Sequence, residues 1–85
     1  MAEVTIYTTP FCPYCDAAKA LFKKKGVEFR EVDVSDDPVK RKWLVETTGQ
    51  RTVPQIFIDA RSYGGFSDVS ALERRGELDA ALRGE

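Results

Sequence analysis

Cys12 and Cys15, separated by two residues, are the only cysteines in the chain and constrain its fold more than any other feature. They lie between two patterns of different period. Before them, Val4-Thr5-Ile6-Tyr7 alternates apolar and polar residues and predicts a strand over Val4–Thr8, broken by Thr9 and Pro10. After them, Tyr14, Ala17, Ala18, Leu21 and Phe22 recur at spacings of three and four. That spacing predicts a helix from Pro13 to about Lys25, stopped by Gly26. A C-x-x-C at such a strand-to-helix junction is the arrangement of a redox dithiol. Phe11, just before it, is expected to pack beside the cysteines.

A sulfur at a helix N-terminus has a defined environment. Cys12 would face the unpaired N–H groups of Tyr14 and Cys15 and the positive end of the helix dipole, and both favour a thiolate. Pro13 suits the first helical position, where a missing N–H costs nothing, and its ring keeps Cys12 out of helical conformation. Thiols so placed ionise more readily than free ones and become better leaving groups. Cys15 falls inside the first turn, within disulfide reach but shielded. Cys12 is therefore expected to attack and Cys15 to resolve. A structural disulfide is disfavoured, because so small a loop constrains the unfolded chain little. A zinc site needs three or four ligands, and the chain has two Cys and no His.

The 85 residues predict one domain over 1–85. With 13 basic and 14 acidic residues the net charge is −1, which gives no basis for binding nucleic acid. No apolar run approaches membrane-spanning length. The chain runs straight into a strand pattern with no signal peptide, so a reducing, cytoplasmic location is expected. There a C-x-x-C is catalytic more often than structural.

Further along, Val27 to Val34 alternates and predicts a second strand, joined by one helix and so parallel to the first. Lys23, Lys24 and Lys25 read as a solvated helix end. Asp36-Asp37-Pro38 opens a second helix ending at about Thr48, before Gly49. Its apolar side is Val39, Trp43 and Leu44 or Val45, with Trp43 packing in the core or at its edge; Lys40, Arg41, Lys42 and Glu46 form its wet side. Ile56 to Ile58 is a short strand. Pro54 before it either simply leads into that strand or is cis in a tight bend. In the cis case the Val53 backbone would form a free edge beside the dithiol, where a sulfur-bearing peptide could add as a strand. Asp59 to Ser62 turns into a strand at about Ser62 to Gly64, and Gly64-Gly65 breaks it. A third helix is expected from Asp68 to Arg75, capped by Ser67 or Asp68, with Val69 and Leu72 inward and Gly76 as its stop. This glycine-rich turn and helix start is either a carboxylate site or an ordinary cap. Glu77 to Leu82 would dock a last turn or two through Leu78, Ala81 and Leu82.

C-P-Y-C, then T-V-P-Q-I-F-I, then G-G-x-x-D before a helix resembles a dithiol glutaredoxin along essentially the whole chain. The resemblance implies an α/β, thioredoxin-like fold: a four-stranded mixed sheet flanked by three to four helices. It implies a cis Pro54 and a monomer with no tightly bound cofactor or metal, using glutathione as co-substrate. The other partners implied are protein disulfides and glutathionylated proteins, with ribonucleotide reductase a candidate. Carried onto this chain, Cys12 and Cys15 are catalytic and Tyr14 lines the glutathione groove. The Thr52-Val53 backbone, next to Pro54, pairs with the cysteinyl part. Gly65, Phe66, Ser67 and Asp68 hold the γ-glutamyl end, and Gln50 or Arg51 meets the glycine carboxylate. Thr9 stands where relatives often carry a Lys, so one cation is missing; Arg51 or Lys19 is the expected replacement. Two rival readings keep the fold. One is a dithiol fed by a thioredoxin reductase. The other is an iron–sulfur carrier ligated by Cys12 and glutathione from two chains, a form that the C-P-Y-C motif resembles less.

Overall fold

The computed structural model describes residues 3–83. Its elements run β1 (Val4–Thr8), α1 (Pro13–Lys24), β2 (Phe29–Asp33), α2 (Pro38–Thr48), β3 (Gln55–Ile58), β4 (Arg61–Ser62), α3 (Phe66–Arg74) and α4 (Leu78–Leu82). The strands form one mixed sheet in the order β2-β1-β3-β4. β1 runs parallel to β2, with Ile6 opposite Glu31, and antiparallel to β3, with Ile6 opposite Ile56. β3 and β4 form a hairpin. This is the four-stranded mixed sheet that the resemblance implies, with four helices.

The period of two in β1 decides which side chains meet which layer. Val4 and Ile6 join Ile56 and Ile58 on one face, against Ala18 and Phe22 of α1, Val69 of α3, and Leu78 and Leu82 of α4. Tyr7 points to the other face, where Phe57 and Val34 meet Leu44 of α2. Each large side chain fully buried here contributes roughly 1.5–3 kcal/mol. Phe22 is the largest of them.

Several details differ from expectation for physical reasons. β2 is shorter than Val27 to Val34. Val27 instead donates its N–H to Phe22 at the end of α1, while Val34 donates to Thr8 just past the ladder. The second helix buries only Leu44; Val39 is 79% exposed and Lys40 and Arg41 are half-buried. Trp43 is an edge packer, 41% exposed and stacked on Phe57 with ring centroids 5.7 Å apart. The third helix begins at Phe66, two residues early, with Gly65 as its cap. Asp68 lies inside the helix and reaches back, Oδ2 accepting the Gly65 N–H at 3.0 Å. That is the carboxylate half of a capping box.

Lys25 does not belong to a solvated end. Its Nζ lies 2.7 Å from Glu73 Oε1 and 2.7 Å from Asp79 Oδ1, so it ties the end of α1 to α3 and α4. Asp79, then Glu73, raise the Lys25 pKa, and Lys25 lowers that of Asp79. The depressed Asp79 gives stability that is present above the ordinary carboxylate range and lost as pH falls through its folded value. The raised Lys25 gives stability that is present below the ordinary lysine value and lost as pH rises through its folded one. Lys25→Met is expected to cost about 1 kcal/mol near neutrality, or roughly 4–8 °C in Tm. Thermal melts should show that difference shrinking at acid pH.

Candidate active site

The end of β1 delivers the chain to the start of α1, and Cys12 caps that helix in extended conformation (φ −114°, ψ 104°) with Pro13 in the first position. The Cys12 sulfur does what a Ser or Asp oxygen does at most caps: Sγ accepts the Cys15 backbone N–H at 3.2 Å. On its other side the Cys12 thiol approaches the Val53 carbonyl at 3.8 Å. The peptide bond between Val53 and Pro54 is cis. No backbone carbonyl among the described residues takes the Val53 N–H. Both cysteines are free thiols, Cys12 partly exposed and Cys15 buried. Burial, and next the hydrogen bond with Cys12, push the Cys15 thiol up to about 12. Cys15 is therefore a protonated reserve while Cys12 is the sulfur that meets solvent.

α3 closes the site from the other side. Gly65 lies so near the Pro54 carbonyl that a Cβ there would sit 3.3 Å from its oxygen. Gly64 is tighter still, with φ +85° and the Asp68 carboxylate 2.3 Å from where a Cβ would be. Gly65 thus lets α3 come close to the Pro54 loop, while Gly64 suits its positive φ and leaves room for the Asp68 carboxylate. Tyr14, 66% exposed, leaves the buried stripe of its helix and pairs with Phe66 across the gap, ring centroids 6.4 Å apart. Ser67 and Asp68 are exposed beside them. Contacts of Cys12 with Val53, of Gly65 with Pro54 and of Tyr14 with Phe66 thus bring Cys12, Tyr14, the Thr52-Val53-Pro54 segment and the Gly65 to Asp68 segment together.

Gln50 and Arg51 lie exposed at the far end of the Val53 loop. Both line a hollow of about 210 Å³, and Gln50 also lines one of about 430 Å³ with Gly64 and Asp68. A larger hollow of about 600 Å³, lined by Glu3, Val4 and the segment Gly26 to Arg30, has no cysteine on its wall and lies apart from this chemistry. Lys19 is not a free replacement for the cation missing at Thr9. Its Nζ is 3.0 Å from Glu31 Oε2 and 3.5 Å from Asp16 Oδ1, and Glu31 also accepts the Thr8 hydroxyl.

Two residues take places that the sequence reading did not assign. Gln55 is buried, and its Nε2 donates to the Thr52 carbonyl at 2.8 Å and to Gln50 Oε1 at 3.0 Å. It pins the loop that carries Val53, while its own Oε1 is left without a partner. A polar residue opening an apolar strand run was the available signal. Phe11 does not pack beside the dithiol. It is 101% exposed, in the left-handed region at φ 58°. That backbone conformation costs on the order of 1–3 kcal/mol for a non-glycine residue.

A partly exposed sulfur capping the first helix, a buried partner one turn in and a cis-proline loop alongside, on this mixed sheet, define the thioredoxin-like class of thiol–disulfide oxidoreductases. Residues 4–62 match the family described as Glutaredoxin. Over 83 residues the chain is 49% identical to Glutaredoxin 3 of Escherichia coli K12, covering 98% of this chain and all of that one. It is 49% identical over 82 residues to a glutaredoxin of Pseudomonas aeruginosa, covering 96% of this chain and 98% of that one. Among solved structures, a buckwheat glutaredoxin–glutathione complex superposes with a TM-score of 0.90 at 28% identity, over 96% of this chain and 77% of that one. The solution structure of glutaredoxin from Brucella melitensis gives 0.87 at 50% identity, over 96% and 89%. The chain belongs to the glutaredoxin family.

Because burial is the first cause of the raised Cys15 value, it persists when Cys12 is removed. In Cys12→Ser the burial cause remains while the Cys12 hydrogen bond is lost, so alkylation of Cys15 by iodoacetamide at pH 7 is expected to stay slower than that of a free cysteine. Mass spectrometry of timed samples measures it.

Proposed function

We propose that this protein is a glutathione-dependent oxidoreductase that reduces protein disulfides and protein–glutathione mixed disulfides in the cytoplasm, with ribonucleotide reductase among its candidate substrates. The observation that carries the reading is the position of the Cys12 sulfur, between the Cys15 N–H and the open Val53 backbone. A short extended peptide pairing with Val53 as an added strand brings its own sulfur to Cys12. Glutathione is such a peptide, with a carboxylate at each end and an ammonium at one. The start of α3 offers backbone N–H groups and the Asp68 carboxylate to the γ-glutamyl end. Gln50 and Arg51 offer donors to the glycine end, and the pair of Tyr14 and Phe66 forms a wall. No helix among the described residues is long and apolar enough to cross a membrane.

In this reading the Cys12 thiolate attacks the glutathione sulfur of a mixed disulfide. A Cys12–glutathione disulfide forms, and the protein thiolate leaves and takes a proton. A second glutathione thiolate attacks the glutathione sulfur of that disulfide, which frees Cys12 and forms glutathione disulfide. With a protein disulfide, Cys12 forms the mixed disulfide and releases one protein thiol. Cys15 then gives up its proton, attacks the Cys12 sulfur and expels the second. Two glutathiones reduce the resulting Cys12–Cys15 disulfide. The high Cys15 value keeps that thiol protonated until a disulfide on Cys12 presents itself.

Turnover coupled to glutathione and glutathione reductase tests this. Cys12→Ser should abolish both activities. Cys15→Ser should keep reduction of a glutathione mixed disulfide and lose protein-disulfide reduction by on the order of 100-fold or more, since only an external thiol can then resolve the intermediate. Activity surviving in Cys12→Ser, or turnover with thioredoxin reductase but not with glutathione, overturns the proposal.

A further inference from the structure

We infer that Phe11 is a specificity residue that docks apolar side chains flanking the reactive cysteine of protein substrates. Three observations meet at this residue. Its ring is 101% exposed, where an aromatic of this size normally finds cover. Its backbone stands at φ 58°, a conformation that a phenylalanine does not adopt by preference. It directly precedes Cys12, so the two Cα atoms are about 3.8 Å apart. A substrate sulfur bonded to Cys12 therefore brings the substrate's neighbouring residues within reach of the Phe11 ring. No described residue pairs with that ring, while Tyr14 and Phe66, which do pair, lie on the side assigned to glutathione. Beside the paired aromatics assigned to glutathione, the dithiol thus has next to it in the chain a single apolar post that only a longer polypeptide can cover. The occupant is an extended peptide segment with an aliphatic or aromatic residue beside its cysteine.

This rests on the proposed reading only for exchange at Cys12, and the test omits glutathione so that the two can fail separately. Peptides carrying one cysteine as a mixed disulfide with thionitrobenzoate are mixed with the reduced protein in a single turnover. The Cys12 thiolate attacks the peptide sulfur, a Cys12–peptide disulfide forms, and the coloured thionitrobenzoate anion leaves with the electron pair. One peptide flanks its cysteine with Leu and Val, the other with Ser and Gly. The wild-type rate constant is expected to be about five-fold or more higher for the apolar peptide, the effect of covering part of one aromatic ring. Phe11→Ser and Phe11→Gly should bring the ratio to within about two-fold, with reaction toward the symmetric reagent dithiobis(nitrobenzoate) retained. Glycine suits the positive φ, so that variant removes the ring without loading the backbone. No preference in the wild type, or a preference that survives in both variants, overturns the inference. Parallel loss toward peptides and reagent alike does so too, because it would make Phe11 a support for the thiol rather than a contact for substrate.

Discussion

The hydrogen bond from the Cys15 backbone to the Cys12 sulfur is the contact on which the rest depends. It is a helix cap and, in the proposed reading, a nucleophile's seat at once. The first turn of any helix needs an acceptor for its orphan N–H groups, and here the acceptor is a thiol sulfur. Pro13 makes this possible by holding Cys12 extended while the helix begins behind it. The thiol is therefore positioned by the same forces that fold α1, and α1 is held by the burial of Ala18 and Phe22 against the sheet.

The second cysteine shows how small a difference in depth separates two roles. Cys12 and Cys15 are one helical turn apart, yet one is partly exposed and the other buried. Burial, and next the hydrogen bond with Cys12, oppose ionisation of the inner sulfur and leave the outer one to meet solvent. The start of α3 comes up against the cis-proline loop at Gly65, where a Cβ would crowd the Pro54 carbonyl. Gln55, itself imperfectly satisfied, holds that loop from beneath.

Much of this was legible in the residues. The alternation in β1, the spacing in α1, the Asp37–Pro38 start of α2 and the helix stops at Gly26 and Gly49 are local signals, and each element lies close to its expected place. What was not legible depends on partners distant in sequence. Lys25 looked solvated because Glu73 and Asp79 are some fifty residues away. Val39 looked buried because helical period cannot say how far a helix overlaps its sheet. Asp68 was expected at the very start of its helix, since a cap that reaches back from inside has the same composition as one that stands in front. Phe11 looked like a packing residue because hydrophobicity predicts burial on average, and the positive φ that turns it outward leaves no trace in composition. Cis geometry at Pro54 came from the resemblance alone.

The margins of the sheet carry a consequence of their own. β4 is only two residues long and both are exposed, while the opposite margin, β2, presents Arg30, Glu31 and Asp33. Short or charged outer strands offer poor templates for stray chains. The Val53 backbone is thus set apart from the conventional borders of the sheet, at a gap guarded by α3 and the first helix. In the proposed reading, foreign polypeptide in extended form is accepted again and again at this one internal notch, while the rims withhold an invitation that would lead to amyloid-like stacking instead of turnover.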